Sequence, residues 1–164
     1  MNNIKPIVVI IMGSKADLEH CQKISAACNQ LGLDTALRIG SAHKTAGHVL
    51  AILRKYEEDP RPKIFITVAG RSNALSGFTD GVVSAPVIAC PPVSDVFGGA
   101  DIYSSLRMPS GVAAGLVLEP VNAALMAAKI FGQYDPVIRE NVIAFQRKQA
   151  EKIISDDDQL NLSG

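Results

Sequence analysis

A chain of 164 residues suits one domain and can bury a sizeable core without covalent staples. Its 16 Lys and Arg balance 16 Asp and Glu. That neutrality, with no basic tract, argues against non-specific nucleic-acid binding or attachment to an anionic membrane surface. With 48% apolar and 20% charged residues the chain is not globally disordered, and with 5% aromatics and no Trp its core is built from Ala, Val, Ile and Leu.

The elements follow in chain order. Ile7 to Met12 is a continuous apolar run rich in β-branched residues, the pattern of a strand buried on both faces. Leu18, Cys21, Ile24, Cys28 and Leu31 recur at helical spacing, with Gly32 as the stop. Thr35 to Ile39 reads as a second strand. Val49, Ile52, Leu53 and Tyr56 make one apolar helical stripe, ended by Pro60 and Pro62. Ile64 to Val68 is a third strand. A short helix is expected over Asn73 to Val83, interrupted or bent near Gly77. Val87 to Cys90 is a fourth strand and Leu116 to Leu118 a fifth. Pro120 suits the first turn of a helix running to about Phe131. A last amphipathic helix spans about 136–154, and an acidic, frayed tail is expected over 156–164.

Alternating strands and helices imply a parallel sheet covered on both faces. Short right-handed connections favour a flavodoxin-like three-layer sandwich of order 2-1-3-4-5 in one domain, its core at about 7–133. The stretch Val93 to Ala114 is a long Gly- and Ser-rich loop, and loops of that length in compact domains are functional or interfacial. No apolar run reaches the length of a membrane span, and the first is too short for a signal peptide, so a cytoplasmic protein is expected. Cys21 and Cys28, seven apart on one helix, stand ~10 Å apart and cannot bridge. No Cys-x-x-Cys pair signals a metal. A mean hydropathy of +0.19 points to surface buried against other subunits.

In open parallel sheets ligands bind beyond the carboxyl ends of the strands, so the residues after each strand are the candidates. After strand one, Gly13 permits a tight turn, and Ser14 and Asp17 either cap the helix or meet a ligand: an anion at the helix start, or ribose hydroxyls at Asp17. After strand two, Ser41-Ala42-His43-Lys44 carries the leading proton-transfer candidate, His43, beside a cation, Lys44, that suits a phosphate or carboxylate. The bland reading is a surface loop whose Ser caps the next helix. His20 and His48 fall on helices without metal-ligand partners and are structural. After strand three, Gly70-Arg71-Ser72-Asn73 offers amides, a hydroxyl and a guanidinium for an oxyanion, or else a helix cap at Ser72 or Asn73. Pro91 and Pro92 follow strand four. Arg107, in the long loop, is an anion-binding or interface residue.

Together, Gly13-Ser14-x-x-Asp17, Ser41-Ala42-His43-Lys44, Ala69-Gly70-Arg71-Ser72-Asn73-x-Leu75 and Ser105 to Gly111 resemble the PurE family of purine biosynthesis, over about residues 7–133. The mutase class of that family reads Arg and Pro where this chain has Lys44 and Ala46. It reads Gly-Ala-Ala-His where this chain has Arg71, Ser72, Asn73 and Ala74. The chain is similar instead to the second class, the direct carboxylases. The resemblance implies a single catalytic domain that carboxylates 5-aminoimidazole ribonucleotide with CO2 as co-substrate, reversibly, without biotin, ATP or metal. It implies His43 as general acid/base at C4. Ser14 and Asp17 would hold the ribonucleotide, Asp17 at the ribose, Ser41 and Lys44 the phosphate or nearby anionic groups, and Gly70 and Ser72 the base and carboxylate end. Gly13, Arg71, Asn73 and Arg107 are further candidates. It also implies a homo-oligomer, with an octamer favoured over a tetramer.

Two other readings of the same fold are weaker. A flavin carrier needs an aromatic residue in the rim motifs, and none is there. A phospho-receiver needs an acidic pair after strand one and an Asp ending strand three, where this chain has Gly13-Ser14 and Ala69-Gly70.

Overall fold

A computed structural model describes residues 4–161. Five parallel strands form one sheet in the order β2-β1-β3-β4-β5. They are β1 (Ile7–Met12), β2 (Asp34–Ile39), β3 (Lys63–Val68), β4 (Val87–Ala89) and β5 (Gly115–Leu116). The helices are α1 (Leu18–Gln30), α2 (Ala46–Glu57), α3 (Ala74–Asp80), α4 (Tyr103–Leu106), α5 (Pro120–Phe131) and α6 (Pro136–Asn161). The three-layer sandwich read from the alternation is the observed one.

Side-chain alternation along the central strands sorts the core into two layers. Val8, Ile10, Met12, Ile64, Ile66, Val68 and Ile88 face α1, α5 and α6. Ile7, Val9, Ile11, Phe65 and Val87 face α2 and α3, where Val49, Ile52, Leu53, Tyr56 and Leu75 meet them. Every residue of β1 is buried, which is why its sequence is apolar without alternation. Each fully buried Val or Ile contributes about 1.5–3 kcal/mol of transfer free energy. On the α5 side the contact is made by Ala123, Ala124, Ala127 and Ala128, all fully buried. Small side chains let α5 lie close to α1, and this explains the Ala-rich, aromatic-poor composition.

Local chemistry sets the ends. Gly32 has φ +84°, where an L side chain is strained, and a Cβ there would stand 2.8 Å from Asn141 Nδ2. Asn141 Nδ2 in turn donates to the Leu31 carbonyl (3.2 Å), fastening α6 to the end of α1. Arg139 donates to the Gly132 carbonyl (2.7 Å) and the Gln133 carbonyl (3.0 Å), completing the end of α5. The thiols of Cys21, Cys28 and Cys90 are free and buried, and burial pushes each up to about 12.

Several boundaries differ from the sequence reading. α3 is shorter than expected and runs unbroken through Gly77, which is small because Met108 packs on it: a Cβ there would lie 3.2 Å from the Met108 sulfur. The stretch 93–114 is not all loop, since a 3-10 turn (Ala100–Ile102) leads into α4. β5 is displaced toward Gly115, although the Val117 amide still donates to the Ala89 carbonyl (2.9 Å). α6 continues through the expected frayed tail to Asn161. The triple Asp opposes the helix dipole there. No Gly or Pro intervenes, however, and a side-chain bond at i,i+4, Asn161 to Asp157 (3.3 Å), spans the last turn. The rest of the expected tail, 162–164, lies outside the described residues. Among the described residues, no helix is long and apolar enough to cross a membrane.

Candidate active site

The turns after β1, β2, β3 and β4 converge at the carboxyl edge of the sheet on one open cleft of about 530 Å³. Gly13, Ser14, Asp17, Ser41, His43, Lys44, Gly70, Arg71 and Ser72 all line it. Segments far apart in the chain meet because the parallel register of β1 with β2 and with β3 brings Met12, Ile39 and Val68 level.

Each turn is held from within. After β1, the Gly13 amide extends the ladder to the Val68 carbonyl (2.9 Å). The capping box suggested by Ser14 and Asp17 does not form: Ser14 makes no side-chain cap bond, and its hydroxyl donates to Asp17 Oδ2 (3.3 Å). Asp17 Oδ1 takes no hydrogen bond among the described residues. This is the arrangement of a carboxylate left available to hydroxyl donors.

After β2, Ser41 organises its own turn. Its carbonyl accepts from the Thr45 amide (2.8 Å) and hydroxyl (3.2 Å), and its hydroxyl accepts from the Lys44 amide (3.3 Å). The turn therefore presents His43 and Lys44 outward; both are exposed, and neither side chain is engaged by a described residue. An unengaged imidazole beside an ammonium, at the mouth of a cleft, can exchange protons and attract an anion. His48 is exposed on α2 and does not line the cleft.

After β3, Arg71 has φ +61°, the one described non-glycine residue in the left-handed region. That conformation costs about 1–2 kcal/mol for an L residue and persists only where surroundings impose it. The surroundings come from the segment before and within α4. Asp101 Oδ2 accepts from the Arg71 amide (3.3 Å), and Ser104 Oγ accepts from the Asn73 amide (2.9 Å). Asn73 itself is 3% exposed and turns away from the cleft. Its Oδ1 accepts from the Ser76 amide (3.1 Å), capping α3, and its Nδ2 donates to Ser76 Oγ (2.6 Å) and Ser105 Oγ (2.8 Å). Of the sequence candidates, then, Asn73 takes the helix-cap role. Arg107 is exposed at the end of α4 and is not part of the cleft wall.

After β4, Pro92 closes the cleft against Gly70, where a Cβ would lie 3.6 Å from the proline Cγ. His20 supports this wall from α1: its Nε2–H donates to the Cys90 carbonyl (3.1 Å). Burial, partly offset by that bond, holds the His20 imidazole below its ordinary range. Beside the cleft and sharing Ala69, Gly70, Pro92 and Ser94 with it lies a smaller, largely apolar hollow of about 140 Å³, walled by Pro91, Val93, Ile102 and Leu118.

Sequence reasoning missed Ala16, Ala42, Leu75, Ser94 and Val96 as cleft residues, and Asp101, Ser104 and Ser105 as supports. Small apolar residues carry no chemical signal, and apart from Ser105, which opens the motif running to Gly111, the sign of the 101–105 support was the length of its loop. Among the described residues, no three His, Cys, Asp or Glu side chains gather as a metal-ligand set.

The chain is similar to known proteins over most of its length. The phosphoribosylaminoimidazole carboxylase of Treponema denticola is 57% identical over 157 residues, 96% of this chain and 99% of that protein. The enzyme of the same name from Archaeoglobus fulgidus is 55% identical, covering 93% of this chain and 83% of its own length. The human bifunctional phosphoribosylaminoimidazole carboxylase/succinocarboxamide synthetase is 42% identical over 91% of this chain, which matches 36% of that longer protein. The crystal structure of Treponema denticola PurE superposes with a TM-score of 0.94 at 57% identity, covering 95% of this chain and 99% of that one. The AIR carboxylase family pattern matches residues 7–152, and the chain belongs to that family.

Proposed function

We propose that this chain catalyses the reversible carboxylation of 5-aminoimidazole ribonucleotide by CO2 to 4-carboxy-5-aminoimidazole ribonucleotide, in purine biosynthesis, without biotin, ATP or metal. The observation that carries the reading is the meeting of Asp17, His43 and Ser72 on one cleft from three separate turns. Lys44 and Arg71-Ser72-Asn73, which set the chain apart from the mutase pattern, support direct use of CO2.

The chemistry follows from the substrate and these residues. The 5-amino group makes ring carbon C4 nucleophilic, as in an enamine. C4 attacks the carbon of CO2, the new C–C bond forms, and one C=O electron pair moves to oxygen as a carboxylate. C4 is then tetrahedral, bearing hydrogen and carboxylate. His43 takes that proton, the C–H electrons return to the ring, and aromaticity is restored; in reverse, His43 delivers the proton. Ser14 and Asp17 hold the ribonucleotide, with Asp17 on the ribose hydroxyls. Ser41 and Lys44 meet the phosphate, and Gly70 and Ser72 line the base and carboxylate end. The hollow beside Gly70, largely apolar but lined also by Ser94 and Asp101, suits a small uncharged co-substrate held next to C4.

The same reading makes the protein a cytoplasmic homo-oligomer, octamer favoured. Exposed apolar side chains away from the cleft, such as Tyr103, Leu106, Tyr134 and Val137, are the surface such an assembly covers. The test is turnover: purified protein with 5-aminoimidazole ribonucleotide and CO2, without ATP, is expected to give the 4-carboxy product. Failure with that pair, together with conversion of the N5-carboxy isomer, overturns the direct reaction in favour of the mutase.

A further inference from the structure

The segment 98–105 does more than connect β4 to β5. It begins at Gly98 and Gly99, both in the left-handed region (φ +58° and +78°), which turn the chain back over the edge of the sheet. The following 3-10 turn and α4 bring Asp101, Ser104 and Ser105 against the turn after β3. Asp101 accepts from the Arg71 amide, Ser104 from the Asn73 amide, and Ser105 from the Asn73 side chain. Ser104 Oγ also donates to the Asp101 carbonyl (2.7 Å), so the holding groups are tied to one another. What they hold is the strained residue of the cleft, flanked by Gly70 and Ser72, which both line it.

We propose that Asp101 is a positioning residue for this cleft: its carboxylate fixes Arg71 in the left-handed conformation and thereby sets where the Arg71 guanidinium and the Ser72 hydroxyl stand toward the anionic groups of the substrate. The inference rests on the proposed reading of the cleft as the ribonucleotide site. The Asp101 side chain meets the turn at the backbone amide of Arg71, so the role needs an acceptor oxygen rather than a negative charge. Asp101→Asn keeps that oxygen and Asp101→Ala removes it. Arg71→Gly removes the need for either, since glycine adopts a positive φ freely.

The experiment combines hydrogen exchange of the peptide spanning 69–75 with steady-state kinetics on the intact protein. Asp101→Ala is expected to speed exchange there about tenfold and to raise KM for the ribonucleotide about tenfold, with a smaller change in kcat. Asp101→Asn is expected to stay near wild type on both counts. In the Arg71→Gly background, Asp101→Ala is expected to add little. Unchanged exchange in Asp101→Ala overturns the clamp. Faster exchange with unaltered KM and kcat overturns its positioning role. Equal damage from Asn and Ala shows that charge, not the hydrogen bond, matters, and also overturns it. If Asp101→Ala does not fold, Asp101→Leu, which keeps the branched shape of the side chain but has no acceptor oxygen for the Arg71 amide, carries the same test with the same outcomes. Absence of turnover in the unaltered protein counts against the proposed reaction, while the exchange measurement still decides the clamp.

Discussion

Gly40 offers the sharpest test of how the cleft is held. It follows β2 directly and its amide donates to the Met12 carbonyl (2.9 Å), so it is anchored to the sheet. A Cβ at this position would stand 2.8 Å from Val49 Cγ2, on a fully buried side chain of α2. Ordinary contact begins at 3.4 Å, so Gly40→Ala requires a displacement of 0.6 Å (3.4 − 2.8). Overpacking of this kind costs about 1–3 kcal/mol. The turn bearing His43 follows Gly40 directly and takes up part of the shift. If a 1 Å misplacement costs about a hundredfold in rate, this one costs about tenfold. Urea unfolding at fixed protein concentration and turnover at saturating substrate measure the two effects. Val49→Ala removes the offending methyl. The double variant is therefore expected to recover about 1–3 kcal/mol relative to the sum of the singles, and most of the lost rate. A Gly40→Ala protein with unaltered stability and rate, or strictly additive singles, refutes the reasoning.

Other outcomes follow from the same structure. His43→Asn is expected to lower kcat about a hundredfold or more while calorimetry still shows ribonucleotide binding; near-normal turnover removes His43 from proton transfer. Lys44→Ala is expected chiefly to raise KM and Kd for the ribonucleotide, and unchanged constants contradict its role at the phosphate. Asn73→Ala strips the cap of α3 and strands buried partners at Ser76 and Ser105, so chemical denaturation is expected to show a loss of about 2–4 kcal/mol. For His20 the folded state resists protonation. Above its ordinary value of 6.5 both folded and unfolded forms are neutral and no penalty exists. As pH falls below 6.5 the unfolded chain takes the proton first and stability drops. Melting of the wild type is thus expected to fall more steeply than that of His20→Gln between about pH 7 and 5, and parallel curves contradict the assignment.

The order of the sheet and most of the cleft were legible because parallel strands announce themselves twice. Ile7 to Met12 reads as a doubly buried strand from its apolar continuity, and the rule for the carboxyl edge then points to the residues that follow it. Polar residues with distinctive chemistry, Asp17, His43 and Ser72, stand out in those turns. Asn73 stood out equally, and only its burial separates a residue that faces a substrate from one that caps a helix. The 93–114 stretch was opaque for a different reason. A four-residue helix such as α4 lies below the length at which periodicity can register, and the contacts of this segment, Asp101 to Arg71 and Ser104 and Ser105 to Asn73, are long-range. At α6, local charge argued for fraying, and the absence of any breaker outweighed it.

The three sequestered thiols turn this fold into its own reporter. A thiol-alkylating reagent meets no thiol on the intact surface, for Cys21 and Cys28 sit on the buried face of α1 and Cys90 is buried at the end of β4. Modification at each must wait for that part of the molecule to come apart. The order in which the three acquire label therefore gives a clock for the dismantling of the fold, read by mass without any added probe. Occupancy of the cleft by a tight ligand, which binds the assembled turns and not the open chain, slows that clock at all three.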